Sequence, residues 1–206
     1  MQNAQIKGLF LDIGGVLLTN GWGHQLREKT AKTFGFELEE FTLRHEMIFE
    51  LFEIGKLSFD SYLEWTIFYK LRNFSLKEVK SFIFDSVEPF PEMIEYVKEL
   101  KSNYGLKLGV VSNEGKELAV DRIQRFNMTS YIDFFIVSSF VHFRKPDADI
   151  YTLAIDVAQM IPAEICYIDD RALLIESAAG LGLHCIHHTS FESTKKRMDT
   201  LLQVFV

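Results

Sequence analysis

With 206 residues, 48% of them hydrophobic, the chain is long enough to bury one main core together with an inserted piece. A formal net charge of −7 without a long basic run argues against nucleic acid or an anionic membrane as partner. Asp12 breaks the first apolar run and no run reaches membrane-spanning length, so a cytoplasmic protein without leader or span is expected, with Cys166 and Cys185 as buried thiols.

The first informative stretch runs from Ile6 to Asn20. Its apolar residues through Leu11 stop at Asp12, and Gly14-Gly15 follow before apolar residues resume. A short apolar run closed by glycines is a buried strand feeding a tight turn. A carboxylate there either bonds local backbone or meets a cation. From about His24 to Asp85 the apolar spacing changes to three and four, as in Phe41, His45, Ile48, Phe49, Phe52 and in Phe59, Tyr62, Leu63, Ile67, Phe68. This spacing predicts a block of four amphipathic helices. Ser58 and Ser75 are N-cap candidates, and Gly35 and Gly55 fall where helices should stop. Many of the nineteen phenylalanines lie here, as an aromatic core. Gly21 and Gly23 flank the entry to the block and Pro89 and Pro91 close it, as for a lid inserted over something else.

Beyond Pro91 strands and helices alternate. Helices are expected over 92–103, 116–126, 148–160, 173–181 and 191–202, and strands over 106–111, 134–138, 165–168 and 184–186. Strands separated by helices of this length form a parallel sheet with right-handed crossovers. With Leu9–Leu11 the sheet has about five strands. The fold class is therefore α/β, a Rossmann-like core over 1–19 and 89–206 carrying an all-helical cap over 20–88.

Ligands of such sheets bind beyond the carboxyl ends of the strands. Asp12 follows the first strand, Ser112 and Asn113 the second, Arg144-Lys145-Pro146-Asp147 come after the third, and Asp169-Asp170 follow the fourth. Each has an ordinary structural explanation, since Ser112, Asn113, Asp147 and Asp170 suit N-caps and Lys145 suits a surface. Together they bring three carboxylates, an ammonium and a hydroxyl to one rim. Three neighbouring carboxylates cannot all stay ionised without a cation, and an all-oxygen donor set favours Mg²⁺ over zinc or copper. Lys145 and Ser112 suit an anionic group such as phosphate.

These residues resemble, in order and spacing, the four motifs of the haloacid dehalogenase-like hydrolase superfamily. Asp12-Ile13-Gly14-Gly15-Val16-Leu17 is similar to the first, Ser112-Asn113 to the second, Lys145-Pro146 to the third and Asp169-Asp170 to the fourth. The helical block resembles the family's type 1 cap. The segments 144–151 and 167–171 look closest to the subgroup of epoxide hydrolase N-terminal phosphatases and a bacterial sugar-1-phosphate phosphatase. The resemblance implies a Mg²⁺-dependent phosphomonoesterase acting on a small phosphorylated metabolite, with a sugar phosphate among the candidates. It also implies that Asp12 is the nucleophile and forms an aspartyl-phosphate. Asp12, the Gly14 carbonyl, Asp170 and Asp169 would hold the metal. Ser112 and the Asn113 backbone would bind phosphate oxygens, and Lys145 would neutralise charge and orient Asp12.

The chain departs from the family at Gly14, where most of its phosphatases place a second aspartate as general acid and base. Positioned proton transfer contributes roughly 10²–10⁴-fold in rate, so good leaving groups are the expected substrates. His24 and Asn20 are the polar neighbours that are candidates to supply a proton, and the ordinary expectation for His24 is a surface histidine. His187-His188 is expected as a loop pair. Two alternatives follow from the resemblance. One is a binding or regulatory protein that has lost efficient turnover. The other is a haloacid dehalogenase, a class that needs no metal and lacks the paired aspartates of the fourth motif. Nothing in the pattern distinguishes a monomer from a dimer.

Overall fold

The five strands are short, and the three inner ones are almost wholly buried, as strands covered on both faces must be. The computed structural model describes residues 5–203. In chain order the elements are β1 (Gly8–Leu11), α1 (His24–Phe34), α2 (Leu38–Glu53), α3 (Phe59–Thr66), α4 (Leu76–Asp85), α5 (Pro91–Tyr104), β2 (Lys107–Ser112) and α6 (Lys116–Arg125). There follow β3 (Phe134–Val137), α7 (Ser138–Val141), α8 (Ala148–Ala158), β4 (Ile165–Asp169), α9 (Ala172–Gly180), β5 (His184–His187) and α10 (Phe191–Gln203). All strand pairings are parallel, in the order β3-β2-β1-β4-β5.

The first strand in the chain is the central strand of the sheet. Leu11 registers with Val110 of β2 on one side and Ile168 of β4 on the other. The order reverses at β1, so the crevice where such sheets bind ligands opens beside Asp12 and Asp169. Side chains alternate between two apolar layers. Leu9, Leu11, Cys166 and Ile168 join Tyr96, Val97 and Met198 of α5 and α10. Phe10, Tyr167 and Val111 join Ile150, Tyr151 and Ala178 of α8 and α9.

The four helices α1–α4 surround an aromatic cluster of their own. Trp22, Phe36, Phe41, Phe52, Phe59 and Tyr62 are buried in it, and Leu118 of α6 is the contribution from the sheet layer. Ser58 and Ser75 cap α3 and α4 through their side chains, Ser75 in a reciprocal capping box with Glu78, each cap worth about 1 kcal/mol. Gly35 ends α1 in the left-handed conformation. The other N-cap candidates divide. Asp147 caps α8, but Gly115 occupies that place for α6 and Arg171 for α9, so Ser112, Asn113 and Asp170 are left for other work. Cys166 is buried and Cys185 only half-buried, because β5 is an edge strand. The stretch expected as an apolar loop after β3 is the short helix α7. His187 closes β5 and is not a loop residue.

Candidate active site

Where β1 ends, the chain must turn at once beneath its neighbours. Gly15 takes φ +76°, which favours glycine, and a Cβ there would lie 2.2 Å from Asp170 Oδ2. Leu17 and Leu18 bond back to the Ile13 carbonyl and Gly15 to that of Leu18, so Asp12 projects from a closed backbone loop. Asp12 is 8% exposed.

The four segments singled out from the sequence do converge. Carboxylate oxygens of Asp12, Asp169 and Asp170 all lie within 4.8 Å of one another. Lys145 is 1% exposed and is not the surface lysine that its sequence context allowed. Its Nζ lies 3.1 Å from Asp12 Oδ1 and 2.6 Å from Asp169 Oδ2, and donates to Tyr167 Oη at 2.9 Å. Two residues apart on β4, Tyr167 and Asp169 face the same way, and the Tyr167 hydroxyl donates to Asp169 Oδ2. The Arg171 N–H bonds Asp169 Oδ1 at 2.9 Å. Both Asp169 oxygens are therefore committed within the protein. Asp170 differs: its Oδ2 accepts from Asn20 Nδ2 at 3.0 Å, while its buried Oδ1 has no hydrogen-bond partner. Asp12 Oδ1 is likewise buried without an aligned donor.

Asn113 does something the sequence did not suggest. Its side chain donates to the Lys145 carbonyl at 2.8 Å and accepts from the Lys145 N–H at 2.8 Å, fastening the end of β2 to the lysine. Its backbone N–H takes no part in this clasp. Ser112 is buried next to Asp12 and favours its ionised form. Burial raises the Asp12 carboxyl above its ordinary value, and the nearby Asp169 charge adds to this against the pull of Lys145 and Ser112. At Asp169 burial acts in the same direction, but Lys145 and the Tyr167 and Arg171 hydrogen bonds outweigh it and hold the carboxyl down.

A cavity of about 290 Å³ opens above Asp12, lined below by Gly14, Ser112, Asn113 and Lys145 and above by Trp22, Arg27, His45 and Phe49. Three of its residues escaped the sequence reading. Glu114 and Arg122 form a buried ion pair, and burial, with Glu53 and Asp12 nearby, pushes the Glu114 carboxyl up to about 7 despite Arg122. Arg122 shares the buried face of α6 with Leu118 and Ala119, a phase at which a charge is out of place, and that was its legible signal. Arg171 stands exposed at the rim. His24 lies at the rim too, its side chain 70% exposed and 3.6 Å from Glu28. His187 donates from Nε2 to the Asp170 carbonyl at 3.0 Å.

The helical block is fastened beside the site. Arg144 pairs with Glu53 at 2.6 Å, Ser138 Oγ donates to the Glu53 carbonyl at 2.7 Å, and His142 donates from Nδ1 to the Ile54 carbonyl at 2.7 Å. Inside the block, Trp22 Nε1 donates to Tyr62 Oη at 2.9 Å, and the Tyr62 hydroxyl in turn donates to His45 Nδ1 at 2.7 Å. Burial, with the charge of Arg27, pushes His45 down to about 4 from 6.5. The unfolded chain then binds a proton at His45 that the folded chain refuses, so stability falls as pH falls from 6.5 towards 4. Urea midpoints across that window should show this decline in the wild type and a shallower one in His45→Asn; equal slopes would rule out His45 as its source.

Among the described residues no helix is long and apolar enough to cross a membrane. Residues 14–187 match a family model described as haloacid dehalogenase-like hydrolase. A phosphorylated carbohydrates phosphatase of Thermotoga maritima is 25% identical over 96 residues, 47% of this chain and 43% of that protein. (S)-2-haloacid dehalogenase 1 of a Pseudomonas species is 24% identical over 124 residues, 57% of this chain and 54% of that protein. The chain spans about half the length of these curated relatives. In shape it is similar to an HAD-like family hydrolase from Porphyromonas gingivalis, with TM-score 0.78 and 22% identity over 95% of this chain and 98% of that one. It is similar also to an HAD family enzyme from Bacteroides thetaiotaomicron in complex with magnesium and inorganic phosphate, with TM-score 0.72 and 20% identity over 88% and 93%. At such identities the structural likenesses speak for the fold, and the family match spans most of the sequence: the chain belongs to the haloacid dehalogenase-like hydrolases.

Proposed function

We propose that the chain is a Mg²⁺-dependent phosphomonoesterase, acting on a small phosphorylated metabolite through an aspartyl-phosphate on Asp12. The observation that carries this is a triad of carboxylates, two of them buried, that shares one ammonium and leaves Asp170 Oδ1 with no hydrogen-bond partner. Such a cluster lacks positive charge, and its unpaired donors are hard oxygens. The residues fit a divalent cation. Asp12, Asp170 and the Gly14 carbonyl would hold it, while Asp169, with both oxygens occupied, acts by fixing Lys145. When bound, the cation neutralises phosphate charge and stabilises the charge that builds during transfer. Asp12 attacks phosphorus, the bond from phosphorus to the leaving oxygen breaks, and water then hydrolyses the acyl phosphate. Ser112 and the Asn113 N–H orient the phosphate, and Lys145 keeps Asp12 ionised and aimed. The helices between residues 20 and 88 form a cap domain over the core of 1–19 and 89–206 and exclude water from the cavity. The free thiols suit a reducing, cytoplasmic setting. The Thermotoga relative, named for phosphorylated carbohydrates, supports a sugar phosphate as substrate.

A panel of sugar, nucleotide and acyl phosphates assayed with Mg²⁺ tests this. Hydrolysis should vanish on chelation and return when Mg²⁺ is added back. Mg²⁺ binding without turnover of any panel member would instead mark a binding protein. The Pseudomonas relative raises dehalogenation; chloride release from a 2-haloacid that survives chelation would establish it in place of phosphatase activity.

A further inference from the structure

We propose that Arg122 is a catalytic residue that holds the leaving-group oxygen of the substrate; this rests on the phosphatase reading above. Its guanidinium is seated in a way that packing alone does not require. Arg122 is 2% exposed, lines the cavity above Asp12, and is gripped by Glu114, itself 8% exposed. Glu114 is in turn fixed through its backbone N–H, which donates to Ser138 Oγ at 3.0 Å. One guanidinium nitrogen, Nη2, is buried with no hydrogen-bond partner. A buried donor left unpaired is costly, and a structure that keeps one beside a cavity holds a free donor for whatever enters.

Gly21 makes room for it, and Gly14 lies close by. Gly14 and Gly21 lie outside the positive-φ glycines, so their backbone does not demand glycine. Space does: a Cβ on Gly21 would fall 1.2 Å from Arg122 Nη2, and one on Gly14 would meet Asn20 Oδ1 at 2.9 Å and Arg122 Nη1 at 3.9 Å. The guanidinium is thus accommodated by Gly21, and its Nη1 edge lies within van der Waals reach of position 14, where Asn20 Oδ1 makes the closer contact.

The direction of the reaction puts the leaving group there. Nucleophile and leaving oxygen lie in line across phosphorus. With Asp12 below, the leaving oxygen faces the segment 20–23 that roofs the cavity, and Arg122 packs against Gly21 of that segment. As the bond from Asp12 to phosphorus forms, the electron pair of the breaking bond passes to the leaving oxygen. Arg122 holds that charge by hydrogen bonding until the oxygen takes a proton from water. No carboxyl at position 14 is needed for this.

The test compares kcat/KM over a series of aryl and alkyl phosphates of graded leaving-group pKa, for wild type, Arg122→Lys and Arg122→Gln. Removing one aimed donor from developing charge costs roughly 10²–10³-fold. Arg122→Gln should lose about that on alkyl phosphates and only a few-fold on nitrophenyl phosphate, with Arg122→Lys between them. Because Arg122→Gln leaves Glu114 buried and unpaired, the double variant with Glu114→Gln is measured too and should keep the steepened dependence. Loss of the same factor across the series, or none, overturns the inference while leaving the phosphatase intact. A wild type that hydrolyses no member of the series overturns the phosphatase reading and this inference with it.

Discussion

Asp12→Asn should abolish phosphate hydrolysis, by at least about 10³-fold in kcat, without lowering the unfolding temperature. The two halves of this expectation have one cause. Asp12 is 8% exposed at the end of the central strand, and burial raises its carboxyl. An ionised group in that position is a cost to the fold, offset in part by Lys145 at 3.1 Å. The amide keeps the shape, removes the charge, and leaves Lys145 its closer partner Asp169 at 2.6 Å. The nucleophile is lost and nothing structural goes with it. Thermal unfolding measured beside a turnover assay reads both. An Asp12→Asn protein retaining a tenth of wild-type activity would remove Asp12 from the reaction, and one that unfolded far earlier would make it structural.

Lys145→Met should do the opposite, cutting stability by about 3–5 kcal/mol as well as ending turnover. The ammonium is the cation that lies within ion-pair distance of both Asp12 and Asp169. Methionine follows the aliphatic stem and ends one atom short of the ammonium, so little packing is lost. What remains is a pair of buried carboxylates without their counter-charge. For a domain whose whole margin is about 5–15 kcal/mol, a loss of this size is a large part of it. Added Mg²⁺ should restore part of the midpoint of the variant, since a bound cation supplies charge to the same oxygens and binding to the folded state stabilises it. Asp169→Asn in the same background should recover stability with no metal present. A midpoint within a degree of wild type would show that the carboxylates do not depend on Lys145.

Asp12, Ser112, Lys145, Asp169 and Asp170 were legible because each follows an apolar run that the spacing marks as a parallel strand, and parallel strands end at one rim. Their roles within that rim were less so. Asp169 and Asp170 are adjacent in sequence yet differ in their bonding, one with both oxygens committed and the other with one orphaned. The difference comes from the alternation of side chains along β4, which turns Asp169 towards Tyr167 and Lys145. Asn113 ties down Lys145 across thirty-two residues of chain, a contact that no local pattern announces. Nor does any pattern announce the fastening of Glu53 by Arg144, which depends on how the helical block settles on the core. Arg122 was hidden differently. Charged residues on helices usually face water, and only its phase on α6 betrays that this one does not.

The place of β1 at the centre of the sheet has a consequence for how the molecule is made. Its hydrogen-bonding neighbours begin at Lys107 and Ile165, so the strand waits for partners made much later. Contacts so distant along the chain are slow to form. Helices α1–α4, by contrast, pair mostly with one another and bury a shared aromatic cluster. On a ribosome, where folding proceeds from the N-terminal end as chain emerges, this block collapses while β1 is still unpaired. The roof of the cavity thus exists before its floor, and Asp12 meets Asp169 only once β4 has been synthesised.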